Sequence, residues 1–186
     1  MGLGTLVLGY FMMLNSTIGT ENLSIDVSID AVGILLMVSA GIQLKAYSDK
    51  FYQLFRCAAV MVPISVFFLV YQLKLWDGFY APFFSVLYQV LDLGFIILLY
   101  GLQDAVFGAV GKIASDCELF ILEARLKICK RIGLVYAAVA VLYWVLCVAF
   151  PPVGEYSYYI RYLLFDLIIF FQSFYLFRAW REIAFV

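Results

Sequence analysis

Two aspartates stand in stretches that are otherwise apolar. Asp92 lies about halfway along the hydrophobic run 81–101, and Asp166 occupies a comparable place in the last such run of the chain. Each follows a tyrosine by four residues in the pattern Tyr-x-x-x-Asp-Leu, once from Tyr88 to Leu93 and once from Tyr162 to Leu167. On a helix this spacing sets the phenol one turn from the carboxyl group on the same face, where its hydroxyl can donate to it. An ionised aspartate at the centre of a lone membrane span costs about 2.5–3.5 kcal/mol, so both side chains are expected to face a bundle interior or water. Two carboxylates sharing such a place compete for a proton, which is the chemistry of a proton relay or a cation site.

Around them, Gln89 lies three residues before Asp92, and Gln72 and Gln172 offer further polar lining. Arg161 precedes Asp166 by five residues. That spacing suits no intrahelical pair, so its side chain is expected to snorkel outward. The structural alternative is that protonated Asp92 and Asp166 hold helices together as hydrogen-bond donors, each bond contributing about 0.6–2 kcal/mol.

The elements that position these residues follow from composition. The 186 residues are 66% hydrophobic and only 13% charged, with a mean hydropathy of +1.02. A soluble domain is about 45–50% apolar, so the expectation is an all-α, polytopic integral membrane protein forming a single domain. Six transmembrane spans are expected near 2–18, 31–47, 57–75, 81–102, 132–150 and 156–177, arranged as three hairpins. A cytoplasmic amphipathic helix is expected over 115–131, opened by a capping box from Ser115 to Glu118 and running toward the fifth span. Pro151-Pro152 should end that span. Trp76 to Tyr80 reads as an aromatic-anchored turn.

Ten basic residues fall on one side of this topology: Lys45, Lys50, Arg56, Lys112, Arg125, Lys127, Lys130, Arg131, Arg178 and Arg181. Only Lys74 and Arg161 fall on the other. That imbalance predicts a cell-membrane protein with both termini cytoplasmic. Hairpins 3–4 and 5–6 match at an offset of 74 to 75 residues, as in Arg56 and Arg131 or Asp92 and Asp166. A true repeat of this kind would be a parallel one. Gly101, Ala105 and Ala109 share one helical face and would permit close helix approach.

The net charge of -1 argues against nucleic acid as a partner. Histidine is absent, which removes Ser-His and Cys-His mechanisms and the commonest metal ligand. The four cysteines form no C-x-x-C pair, and no metal or cofactor fingerprint is present. The leading expectation is therefore a membrane protein that binds or translocates a small solute or ion, linked to a proton or cation. Its interior polar site would comprise Asp92, Asp166, Tyr88, Tyr162 and Gln89, with no metal and no cofactor. The alternative is a non-transporting subunit, paired with a membrane-protein partner or with its own copies, that docks through the helix 115–131 and the small-residue face Gly101, Ala105 and Ala109. An intramembrane enzyme using the two aspartates as an acid/base dyad ranks third.

Overall fold

The fold was obtained as a computed structural model. It describes residues 2–14, 17–20, 23–26, 30–72 and 81–184, with the side chains of 17–20, 23–26, 72, 81–82, 151–159, 162 and 184 outside the description. Lys74 and the turn 76–80 lie outside the described residues.

Among the described residues six helices appear, in the order α1 (Gly2–Phe11), α2 (Asp30–Leu44), α3 (Asp49–Gln72), α4 (Ala81–Asp116), α5 (Phe120–Ala149) and α6 (Pro151–Ala184). Between α1 and α2 lies a short antiparallel hairpin, β1 (Thr17–Thr20) with β2 (Leu23–Asp26), in which Thr17 faces Asp26 and Thr20 faces Leu23. Each helix packs on the next in sequence, and α6 returns to α1, so the bundle closes on itself.

Among the described residues four helices are long and apolar enough to cross a membrane: Asp49–Tyr71, Phe83–Asp116, Phe120–Ala149 and Leu163–Ile183. The other two, α1 and α2, have 10 and 15 residues. At about 1.5 Å per residue they reach roughly 15 and 22 Å, short of a hydrocarbon layer about 30 Å thick. The first apolar run was expected to be helical to residue 18. Its helix stops at Phe11, and Thr17 and Ile18 belong to β1. Thr17, Ile18 and Thr20 are two β-branched threonines and an isoleucine, residues whose χ1 stiffness favours a strand.

The outer faces explain why a bilayer is the fitting solvent. On α5, Val135, Val139, Leu142 and Leu146 recur at helical spacing, and all are exposed. Leu163, Leu167, Phe170, Phe174 and Phe177 form the same kind of stripe on α6. Soluble chains leave large apolar residues exposed singly and do not align them in continuous stripes on helix after helix. Inside, Leu6, Tyr10, Ile34, Met37, Leu54, Met61, Leu102 and Leu126 are fully buried.

The expected small-residue face of α4 is interior as well. Ala105 and Ala109 are fully buried, and Gly101 lies against the Cys57 sulfur of α3. It therefore packs the chain's own bundle and offers no surface to a partner.

At one end of the bundle α4 continues to Asp116, beyond the expected limit near 102. The proposed capping box is instead a helix terminus. The Leu119 amide donates to the Ala114 carbonyl and the Glu118 amide to the Ser115 carbonyl, with Glu118 at φ 61°. This is a Schellman C-cap whose left-handed position carries glutamate in place of the usual glycine. The substitution hid the terminus from the sequence pattern. Helix α5 then runs unbroken from Phe120, carrying residues 120–131 and the apolar run 132–150 on one axis.

Candidate functional site

Helices α4 and α6 run in parallel on either side of α5, and their facing side chains form the polar interior. From α6, Arg161 reaches across to Asp92 of α4. Its Nη1 donates to Asp92 Oδ2 at 2.8 Å and its Nη2 to Oδ1 at 2.7 Å. Both side chains are mostly enclosed, 19% and 15% exposed. The expectation that Arg161 snorkels outward is thus corrected. Intrahelical spacing alone was weighed there, whereas the partner lies on another helix, and a planar guanidinium matches a carboxylate with two parallel bonds.

Helix α5 completes the surroundings of Arg161. Tyr136 is 7% exposed, and its hydroxyl accepts a hydrogen bond from the guanidinium. Seven residues on, two turns along the same face, the ring of Tyr143 lies 5.9 Å from the guanidinium carbon, within the range of a cation–π contact. Asp92 and, more weakly, Asp166 act electrostatically on the Tyr136 hydroxyl, so both carboxylates lie within charge range of one phenol. The Phe165 ring, next to Asp166 in sequence, packs on Tyr136 with centroids 5.9 Å apart.

The remaining expected residues fall in different places. Tyr88 packs its ring against Tyr71 at 4.7 Å and Phe68 at 5.1 Å, which ties α4 to α3. The Gln89 side chain is exposed and lines no interior site. Its carbonyl accepts a hydrogen bond of 2.9 Å from Trp144 Nε1. The side chain of Tyr162 lies outside the described residues.

A second polar level follows along the same seam. Gln103 of α4 donates through Nε2 to Gln172 Oε1 of α6 at 3.1 Å, and Gln172 Nε2 donates to the Cys129 carbonyl of α5 at 3.0 Å. The Tyr10 hydroxyl of α1 donates to Gln172 Oε1 as well. Tyr10 and Gln172 are fully buried and Gln103 is 1% exposed. Four side-chain polar groups of this network are paired in this way, while Gln103 Oε1 has no hydrogen-bond partner among the described residues. Gly133 makes room for it, because a Cβ there would collide with Gln103 Oε1.

The third level is ionic. Lys50 Nζ of α3 lies 2.8 Å from Asp104 Oδ2, and Lys130 Nζ of α5 lies 2.6 Å from Asp104 Oδ1. Since Asp92 and Asp104 are twelve residues apart on one helix, this level stands about 18 Å from the Arg161 pair.

Sequence reading missed Tyr136, Tyr143, Gln103 and Tyr10. One signal was available: Gln103 and Gln172 are separated by the same 69 residues as Asp92 and Arg161. Among the described residues, no group of histidine, cysteine, aspartate and glutamate has the arrangement of a metal site. No protein-family model, curated protein or solved structure matches the chain.

Proposed function

We propose that the chain is a multi-pass cell-membrane protein, with both termini cytoplasmic, that binds or translocates a small solute or ion through the α4–α5–α6 interior, linked to a proton or cation. The observation that carries this reading is the charge balance around Arg161. One guanidinium, always protonated, pairs with Asp92, and a second carboxylate, Asp166, lies within charge range of the Tyr136 hydroxyl beside it. With both ionised, these three groups carry one negative charge in excess. A proton or a monovalent cation neutralises it, and an enclosed setting strengthens that attraction.

The depths of the polar groups along α4 suit a membrane setting. With the Lys50–Asp104–Lys130 layer at the cytoplasmic lipid headgroups, the Arg161–Asp92 pair about 18 Å above it falls near the middle of a hydrocarbon layer roughly 30 Å thick. The amide level stands beside the ionic one, since Gln103 and Asp104 are neighbours on α4. Polar groups of α4 thus face its neighbours at two depths, near the headgroups and near mid-membrane. In vesicles carrying an internal pH indicator, the purified protein should conduct protons or cations under an imposed potential. The double variant Asp92→Asn with Asp166→Asn should lose that flux, and unchanged flux would remove both residues from the mechanism.

A second reading is favoured by one observation at the cytoplasmic end. Phe120 and Ile121 are 65% and 72% exposed at the turn between α4 and α5, beyond the ionic level. Beside them a cavity of about 330 Å³ is lined by Glu118, Leu122, Arg125, Arg178 and Glu182 among others. Apolar residues at such a projecting tip suit a protein partner. Co-purification tests it: a stable partner lost on replacing Phe120 and Ile121 with serine supports docking, while a solitary monomer or homo-oligomer counts against it.

A further inference from the structure

Asp104 receives two cations, one from each flanking helix. Lys50 and Lys130 meet its two oxygens at 2.8 and 2.6 Å, so the triad carries one positive charge in excess. Both lysines are 40% exposed, whereas Asp104 is 17% exposed, so the ammonium groups are the accessible part. An ammonium has three donors, and the carboxylate takes one from each, leaving two on each lysine for another acceptor.

The surroundings say what kind of acceptor fits. Leu134 follows Lys130 by one helical turn on the same face and is 51% exposed, with Val135 beside it at 62%. A cationic group therefore sits directly below an apolar surface that begins the membrane-facing stripe of α5. An anionic phospholipid has the matching order, a phosphodiester at the headgroup level with acyl chains continuing along the helix.

We propose that Lys50 and Lys130, gathered on Asp104, form a binding seat for the headgroup of an anionic phospholipid, whose acyl chain lies on Leu134 and Val135. This rests on the bilayer setting of the fold and is independent of transport. The excess of one charge sets the size of the preference. At about 1 kcal/mol per basic residue near the surface, a net +1 favours an anionic over a zwitterionic lipid by roughly five-fold.

Native mass spectrometry of the full chain in neutral detergent, with phosphatidylglycerol and phosphatidylcholine in equal amounts, reads that preference directly. The native protein should retain phosphatidylglycerol about five-fold over phosphatidylcholine. Lys50→Gln with Lys130→Gln should abolish the preference, and Lys50→Arg with Lys130→Arg should keep it, which separates loss of charge from loss of fold. Asp104→Asn is the sharpest arm, because it frees both lysines and should raise the preference to roughly thirty-fold. A purely structural triad predicts no rise there. An unchanged preference in the double glutamine variant, or no rise in Asp104→Asn, would overturn the proposal. So would displacement of the bound lipid by millimolar inorganic phosphate, which would make the site one for free anions.

Discussion

Arg161 of α6 meets Asp92 of α4 with two parallel bonds, 2.8 and 2.7 Å long, across 69 residues of sequence. Gln172 meets Gln103 across the same 69 residues. Eleven residues separate the two contacts on each helix, close to three full turns, so both lie on one face. A constant offset means that α4 and α6 run parallel without slippage, and two polar clasps of different chemistry fix that register.

The ionic clasp should be the costlier to break. Arg161→Ala leaves Asp92 enclosed without its cation and should destabilise the protein by about 2–4 kcal/mol, toward the lower side of buried pairs because both groups keep some exposure. Arg161→Lys retains charge but forfeits the second parallel bond and should recover only part of the loss. Denaturant titration in detergent, with Asp92→Asn added to complete a double-mutant cycle, measures the coupling.

The amide clasp predicts an order between two substitutions. Gln172→Leu strands the Tyr10 hydroxyl and the Gln103 amide in a dry interior and should cost about 2–3 kcal/mol. Tyr10→Phe removes one donor while Gln172 Oε1 still accepts from Gln103, and should cost about 1 kcal/mol. Thermal unfolding of the two variants checks the ranking.

Where α1 crosses α2, Gly9 and Gly33 face each other so closely that a Cβ on either would lie 2.7 Å from the carbonyl oxygen of the other. Alanine at either position must push the helices apart, at a cost of about 1–3 kcal/mol. The double alanine variant should cost less than the sum of the singles, because the first displacement makes room for the second. Unfolding midpoints of the three variants measure this directly.

The helix terminus offers a substitution of opposite sign. Glu118 sits at φ 61°, a conformation that costs most residues about 1–2 kcal/mol and glycine almost nothing. Glu118→Gly should therefore stabilise the protein, by about 0.5–1 kcal/mol after the greater freedom of glycine in the unfolded chain is subtracted. A higher unfolding temperature is the expected reading.

The helical class and the long apolar helices were legible because composition and run length alone carry them. The end of α4 was not, since the motif that stops it uses glutamate where a glycine would have announced it. At the site, Tyr-x-x-x-Asp drew attention to Asp92, and the ring of its tyrosine packs on Tyr71 and Phe68 of α3. The partner was Arg161, whose five-residue spacing from Asp166 had suggested an outward course. Local spacing reports neighbours on one helix, whereas this ion pair is a property of two helices and their register. Tyr136 and Tyr143 were hidden for a related reason: in a chain with 14 tyrosines, a seven-residue interval gains meaning only once a cation lies opposite it.

The central claim is that the carboxylates near Arg161 handle a proton or cation beyond holding helices together. Asp166→Asn tests it most directly, because the Arg161–Asp92 clasp stays in place to keep α4 and α6 in register. Unfolding stability and potential-driven proton or cation flux should be measured on the same preparation in vesicles. The account predicts stability within about 1 kcal/mol of the native protein, the size of one interhelical hydrogen bond, with flux reduced to the level of empty vesicles. Native flux in a stably folded Asp166→Asn protein would contradict it.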